Sequence, residues 1–552
     1  MVQYAVGFHA ARRRTVSGKE QGVKRSTWPA GAIDGLAVFV LSVLYLRALP
    51  DCFSFFDEGI FATIADRLVR GDRLYSDVVT HYMPGSFWLL MLAFKTAGSS
   101  VATLRWCLTL LASVAAVAIW SLARQQANRA AAILAGLSPI VVCYPIWWMA
   151  SPHWFSTFAA LGAAVLATAS VTSNRPVLCL LGAGSFAGVT FLFLQPVGVA
   201  VAVLLLTAVL VDSRLATSSA IAFRRALAVA AGTAVSLAIA AVCVAFEGSL
   251  TPAVSQTLSW GLRHYSGAFR IAYGSIPFGV SNSADVRFCA HVFAFAVPPL
   301  YGLILTTLFR CYGRAAVEPR DRQLLMFSAA AFGLFVGNLY YPDVVHLATA
   351  APAAFVALAA TLARSRAAHS GVQIAVLLLW AGSLLVIGST SLRRHEIECP
   401  ATVETARGPI AATEETARDL RQLLPYVASN ISPGASLFVY PYAPGYEFLL
   451  DRRNPTRYAY LLPYLPIANL PLAANNPGNE AELDEIAGEL ERTRPQFILL
   501  SPLSGGPMLM TYDTPVERYI RAGYHVVQTF HLTALLERDA PGRGDPGAPF
   551  QP

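Results

Sequence analysis

A chain of 552 residues that is 55% hydrophobic and only 13% charged, with a mean hydropathy of +0.50, is too apolar for a soluble enzyme. It reads as a polytopic membrane protein. The formal charge of +8 is carried by short arginine-bearing connections between apolar stretches, a topology pattern rather than a nucleic-acid footprint, so no nucleic-acid partner is expected.

The expected fold class is a mainly α polytopic membrane protein followed by a C-terminal extracytoplasmic α/β domain. Residues 1–30 read as a cytoplasmic basic tail containing Arg12, Arg13, Arg14, Lys19, Lys24 and Arg25. Windows of roughly 20 apolar residues then give about eleven spans, near 31–50, 101–123, 130–150, 152–172, 176–194, 197–211, 226–246, 288–309, 323–340, 344–362 and 371–391. The first is too long for a cleavable h-region and reads as a retained signal anchor. Arginines recur in every second connection: Arg124 and Arg129, Arg175, Arg224 and Arg225, Arg320 and Arg322, then Arg364 and Arg366. The N-terminus is therefore placed in the cytoplasm, and an odd number of spans leaves loop 51–100 and everything past residue 391 outside.

That first outer loop opens on adjacent acids, Asp57 and Glu58, followed by Ile60, Phe61, Ile64 and Leu68 at helical spacing. The pattern predicts an amphipathic helix lying along the membrane surface. A second helix is expected after Pro84 and Gly85, with Phe87, Trp88 and Phe94 at headgroup level and Lys95 near its end. Cys52 and Cys399 both fall on the outer side; pairing between them is open, because spacing alone does not fix their separation.

Further along, Tyr144 to Phe155 form an aromatic outer turn whose one ionisable residue is His153. Gly182, Gly184 and Gly188 lie within an apolar helix and indicate close helix packing rather than a dinucleotide loop. Gln195 sits at a membrane edge, where it can bond a neighbouring helix or a substrate. The longer outer loop 247–287 holds Trp260, Arg263, His264, Tyr265, Arg270, Tyr273 and Arg287. Cations there run against the topology trend and suit an anionic headgroup or phosphate as well as plain solvent. Asp343 and His346 stand three apart at the next outer turn, costly to place beside a membrane without partners; Asp343 also fits a helix cap.

After residue 391 the composition turns charged and proline-bearing. A helix over 410–429, a strand from Ser436 to Tyr440, a helix from Glu480 to Arg492 and strands over Gln496–Ser501 and Tyr524–Leu532 predict a small α/β domain with one sheet, spanning 392–538. Residues 539–552 read as a disordered tail.

Phe56-Asp57-Glu58-Gly59, Arg70-Gly71, Leu74-Tyr75 with Asp77, and Pro84-Gly85-Ser86-Phe87-Trp88 with Phe94-Lys95 and Gly98 together resemble the first outer loop of the C superfamily (GT-C) of membrane glycosyltransferases. The pattern is most similar to the bacterial protein O-mannosyltransferase and lipid A aminoarabinose transferase groups. Phe193-Leu194-Gln195 with Gly198, Asp343 with His346, and Tyr446 to Pro463 extend the likeness. The resemblance implies a catalytic module over 31–391 that transfers a sugar from a polyprenyl-phosphate donor to an extracytoplasmic glycan, lipid or protein acceptor, with inversion. It places the catalytic carboxylate at Asp57, with Glu58 beside it, in a bacterial inner membrane. Tyr82 and Met83 stand where relatives often carry a lysine or an acid, and only His153 occupies a turn where some members place a second carboxylate. The resemblance therefore leaves open both the acceptor and whether a divalent metal takes part.

The chemistry asks for the same parts. Inverting transfer needs one base to take the acceptor proton while the acceptor oxygen attacks opposite the leaving phosphate. Charge gathering on that phosphate calls for cations, and Lys95, Arg263 and Arg270 are the outer-face candidates. His153, Gln195, Asp343 and His346 complete the expected substrate and phosphate contacts. Two alternatives stand beside this reading: a lipid-linked glycan flippase or transporter, and a non-catalytic envelope assembly protein.

Overall fold

The fold is taken from a computed structural model that describes residues 28–216, 219–260, 262, 271–276, 283–312, 317–365, 371–461, 479–502, 510 and 513–539. The expected tails lie almost wholly outside the described residues, as do Arg263, His264, Tyr265 and Arg270. In chain order the membrane part contains α1 (Trp28–Ala48), α2 (Asp57–Val69), α3 (Gly85–Ala97), α4 (Val101–Gln126), α5 (Arg129–Val142), α6 (Pro152–Ala169), α7 (Pro176–Phe193), α8 (Gln195–Ala216) and α9 (Ser219–Phe246). Then come α10 (Ala284–His291), α11 (Val297–Tyr312), α12 (Pro319–Gly337), α13 (Val344–Ala350), α14 (Ala354–Arg364) and α15 (Gly371–Glu398).

Every stretch expected to span is helical. Among the described residues 9 helical stretches are long and apolar enough to cross a membrane. The remaining two positions are filled by α6 and α12, whose polar first turns, with His153 and with Arg320, Asp321 and Arg322, lower their hydropathy. The glycines of α7 work as expected: a Cβ on Gly184 would lie 2.0 Å from the Val229 carbonyl oxygen, and one on Gly232 of α9 2.0 Å from that of Leu181. Only bare backbone lets α7 and α9 approach so closely. At the arginine-rich end of the helices, ion pairs tie neighbours together: Arg129 to Asp34 at 2.6 Å, Arg322 to Asp212 at 2.7 Å and Arg364 to Asp321 at 3.2 Å.

The C-terminal region is α/β. A two-stranded antiparallel ladder, β1 (Ala401–Val403) with β2 (Ile410–Ala412), precedes α16 (Glu414–Asn430). Then follow β3 (Leu437–Tyr440), α17 (Gly445–Leu449), α18 (Asn479–Thr493), β4 (Phe497–Leu500), α19 (Pro515–Gly523), β5 (Tyr524–Thr529) and β6 (Ala534–Arg538). The main sheet runs β3-β4-β6-β5, with β3 parallel to β4 and the other pairs antiparallel. Two expectations are corrected here. Among the described residues there are two sheets rather than one, and the segment read as helix from 410 opens as strand β2, because Ile410–Ala412 pairs with β1 before Thr413 caps α16.

Another expectation fails at α2. Glu58 through Leu68 are all buried, so α2 has no solvated polar face; the C-terminal region covers that face. A Cβ on Gly59 would meet the Gly445 nitrogen at 2.5 Å, the Gly445 N–H bonds the Phe55 carbonyl at 2.9 Å, and the Thr63 hydroxyl bonds the Pro444 carbonyl at 2.8 Å. Arg407 bridges Asp66 and Asp451, both at 2.8 Å. Two aromatics of α3 turn inward: Phe94 stacks on Phe448 of the C-terminal region at 5.7 Å and Phe87 on Phe61 of α2 at 5.5 Å, while Trp88 is half-buried. Cys52 and Cys399 form a disulfide, with Cα atoms 6.3 Å apart, that joins the approach to α2 to the end of α15.

Candidate active site

The two acids at the start of α2 point in different directions, because successive helical residues are about 100° apart. Glu58 is fully buried. One oxygen accepts from Arg105 Nη2 at 2.8 Å, the other from Arg105 Nη1 and from the Ala150 N–H at 3.0 Å. Arg105, itself buried on α4, also bonds the Cys52 carbonyl. This pair is closed on itself and fixes where α2 begins.

Asp57 is different. The residue before it, Phe56, is the helix cap and makes no side-chain cap bond, so Asp57 is not a cap. Its side chain remains open to water, yet protein crowds round it so closely that desolvation raises its carboxyl above the ordinary range. The Tyr442 hydroxyl donates to Oδ1 at 3.2 Å and, with the charge of His346, pulls the value back down, while Asp343 pushes it up.

Those last two residues stand at the start of α13. Asp343 is the expected cap, accepting the His346 N–H at 2.9 Å, and it also holds His346 Nδ1 at 2.7 Å. The His346 ring lies edge-on to His153, 4.4 Å between centroids, and 4.6 Å from the ring of Tyr341. The described part of the 247–287 loop docks on the same turn, Gly274 N–H to Pro342 carbonyl at 2.7 Å and Val344 N–H to Ser275 carbonyl at 2.9 Å. On another side, Tyr442 packs against Phe56 at 5.3 Å and approaches Tyr460 at 6.5 Å. The Tyr460 hydroxyl bonds His81 Nε2 at 2.9 Å, and His81 stacks on Trp260 at 4.2 Å.

The structure thus brings together Asp57, Asp343, His346 and His153. Lys95 is exposed at the end of α3, where its charge acts on Glu247 rather than Asp57. Gln195 bonds the Thr257 carbonyl at 3.4 Å, a packing contact. Arg263 and Arg270 lie outside the described residues. Sequence reasoning missed Arg105 and Tyr442. Arg105 did carry a signal, an arginine inside an apolar window that requires an acid partner; Tyr442 carried none. Among the described residues no three His, Cys, Asp or Glu side chains gather as a metal-binding group.

No family model and no curated protein matches the chain. Solved structures do. ArnT from Cupriavidus metallidurans, bound to undecaprenyl phosphate, superposes with a TM-score of 0.60 at 13% identity, over 93% of this chain and 99% of that one. The oligosaccharyltransferase AglB from Archaeoglobus fulgidus, in complex with an inhibitory peptide and a dolichol-phosphate, gives 0.51 at 12% identity, over 91% of this chain and 74% of that one. The chain has the membrane fold of these proteins, the GT-C fold expected from the first loop.

Proposed function

We propose that the chain is a membrane glycosyltransferase that passes a sugar from a polyprenyl-phosphate donor to a hydroxyl-bearing glycan, lipid or protein, inverting the anomeric carbon. One observation carries the reading: Asp57 is an exposed carboxylate at the start of α2, with no cation paired to it among the described residues and one oxygen held by Tyr442 at 3.2 Å. The fold shared with a protein that binds undecaprenyl phosphate supports it.

In this reading one carboxylate oxygen of Asp57 takes the acceptor proton as the acceptor oxygen bonds to C1. The C1–O bond to phosphate breaks, and its electron pair leaves with the polyprenyl phosphate. Weak solvation makes the carboxylate a better base, and the Tyr442 hydrogen bond orients it. Glu58 positions rather than reacts, since both its oxygens are engaged in a buried cluster. His346, fixed by Asp343 and backed by His153, supplies imidazole N–H for the departing phosphate. Residues 31–391 form the catalytic module, and 392–538 an extracytoplasmic domain that completes it. The protein resides in a bacterial inner membrane with its N-terminus in the cytoplasm.

The test is sugar transfer by the purified protein, supplied with a panel of polyprenyl-phosphate sugars and envelope acceptors, with Asp57→Asn as control. Transfer that vanishes in the variant supports the reading. Equal turnover by both proteins removes Asp57 from the mechanism.

A further inference from the structure

At the arginine-rich end of the molecule, remote from Asp57, a groove of about 680 Å³ runs between α7 and α9 and reaches up to their glycine contact at Leu181. Its walls are apolar, formed by residues such as Leu178, Leu227 and Ala231, and its mouth is polar, formed by Asn174, Arg175 and Arg224. Both arginines are exposed, and no acid lines the groove. This sets them apart from Arg129, Arg322 and Arg364 at the same end, each satisfied by an aspartate. A second groove, about 980 Å³ between α10 and α15, is equally apolar but has Asp285 in its wall and no arginine or lysine. Arg394 already holds that aspartate at 2.9 Å, and the lining offers no cation to a phosphate.

We propose that the α7–α9 groove binds one anionic phospholipid from the leaflet on the side opposite Asp57, the phosphate between Arg175 and Arg224 and an acyl chain along the leucines. The shape argues for a lipid over a free anion: a phosphate alone would leave the apolar walls unfilled, whereas an acyl chain buries them and places its headgroup where the two guanidiniums stand. The close approach at Gly184 and Gly232 fixes the helix crossing, so the groove is a permanent feature of the packing.

The experiment is native mass spectrometry of the full-length protein released from nanodiscs of equimolar dioleoyl phosphatidylglycerol and phosphatidylcholine. Both lipids offer a phosphate, but choline cancels its charge in phosphatidylcholine, so two arginines facing the net negative headgroup of phosphatidylglycerol predict a preference of about 30-fold for it in the most tightly retained lipid. Arg175→Gln with Arg224→Gln should abolish the preference, while the paired lysine replacements should keep it and show that the site still folds. Ala231→Trp, which fills the groove and leaves both charges, should lower retention of this lipid. Equal retention of the two lipids by the unaltered protein overturns the proposal, as does an undiminished preference in the glutamine variant. Displacement of the lipid by millimolar inorganic phosphate also overturns it, because it would mark a bare anion site.

Discussion

The two ends of the helix bundle treat aspartate and glutamate differently. At the arginine-rich end Asp34, Asp212 and Asp321 each meet an arginine, and the pairs serve as ties between helices. At the other end Glu58 is likewise neutralised by Arg105, but its sequence neighbour Asp57 is left with a tyrosine hydroxyl and a view of His346. A matched charge is structural and titrates little in use; an unmatched one, kept partly dry yet reachable, retains a proton affinity that chemistry can exploit. One helical step separates the two fates.

The comparison breaks most sharply at Asp57 itself. Asp57→Asn should lower transfer by about 10²–10⁴-fold, with thermal unfolding no earlier than in the parent. The sign follows from its raised carboxyl: the folded state holds that proton more tightly than the unfolded chain, so the associated stability is lost as pH rises from the ordinary carboxylate value through the folded one. Removing the acid takes away a penalty at neutral pH.

Arg105→Met attacks the matched partner instead. It leaves Glu58 buried and alone, and should cost about 3–5 kcal/mol of stability, read as a fall in melting temperature. Adding Glu58→Gln should recover part of the loss. If the single variant unfolds like the parent, the closed pair is not what seats α2.

A smaller effect is expected at Tyr442→Phe, worth about 1 kcal/mol. The lost hydrogen bond is one that lowers the Asp57 carboxyl, so the acid limb of the transfer rate should move to higher pH, measured as a pH profile. His346, Asp343 and the neighbouring Glu58 stay in place, and a shift in the opposite direction would remove Tyr442 from the site. Smallest of all, Asp34→Asn should change stability by no more than about 1 kcal/mol, because Arg129 is largely exposed, and should leave transfer unchanged.

Much of this architecture can be read from the chain. Apolar windows announce each span because lipid leaves the backbone no alternative to helix. The Asp57–Glu58 pair draws notice by its place directly after the first span. What sequence does not convey is contact at long range. Nothing near Asp57 tells that Tyr442 will reach it, or that Gly445 will press against Gly59 and bury the second face of α2. The periodicity of Ile60, Phe61, Ile64 and Leu68 is real, but the polar face it leaves is satisfied by protein rather than water: Thr63 by Pro444, Asp66 by Arg407 and Arg67 by Thr456. Lys95 shows the converse: a cation placed near the end of an outer helix by sequence points into solvent at the end of α3, because position along the chain does not fix which way a side chain turns.

The Cys52–Cys399 bridge has a consequence for biogenesis. Its second sulfur lies just beyond α15, so the bond can close only after every preceding helix has been synthesised and inserted. The turn before α2 is thereby locked last: a full-length chain that misthreads offers an alkylating reagent two thiols more than the folded protein, and a chain truncated before Cys399 leaves Cys52 as a free thiol.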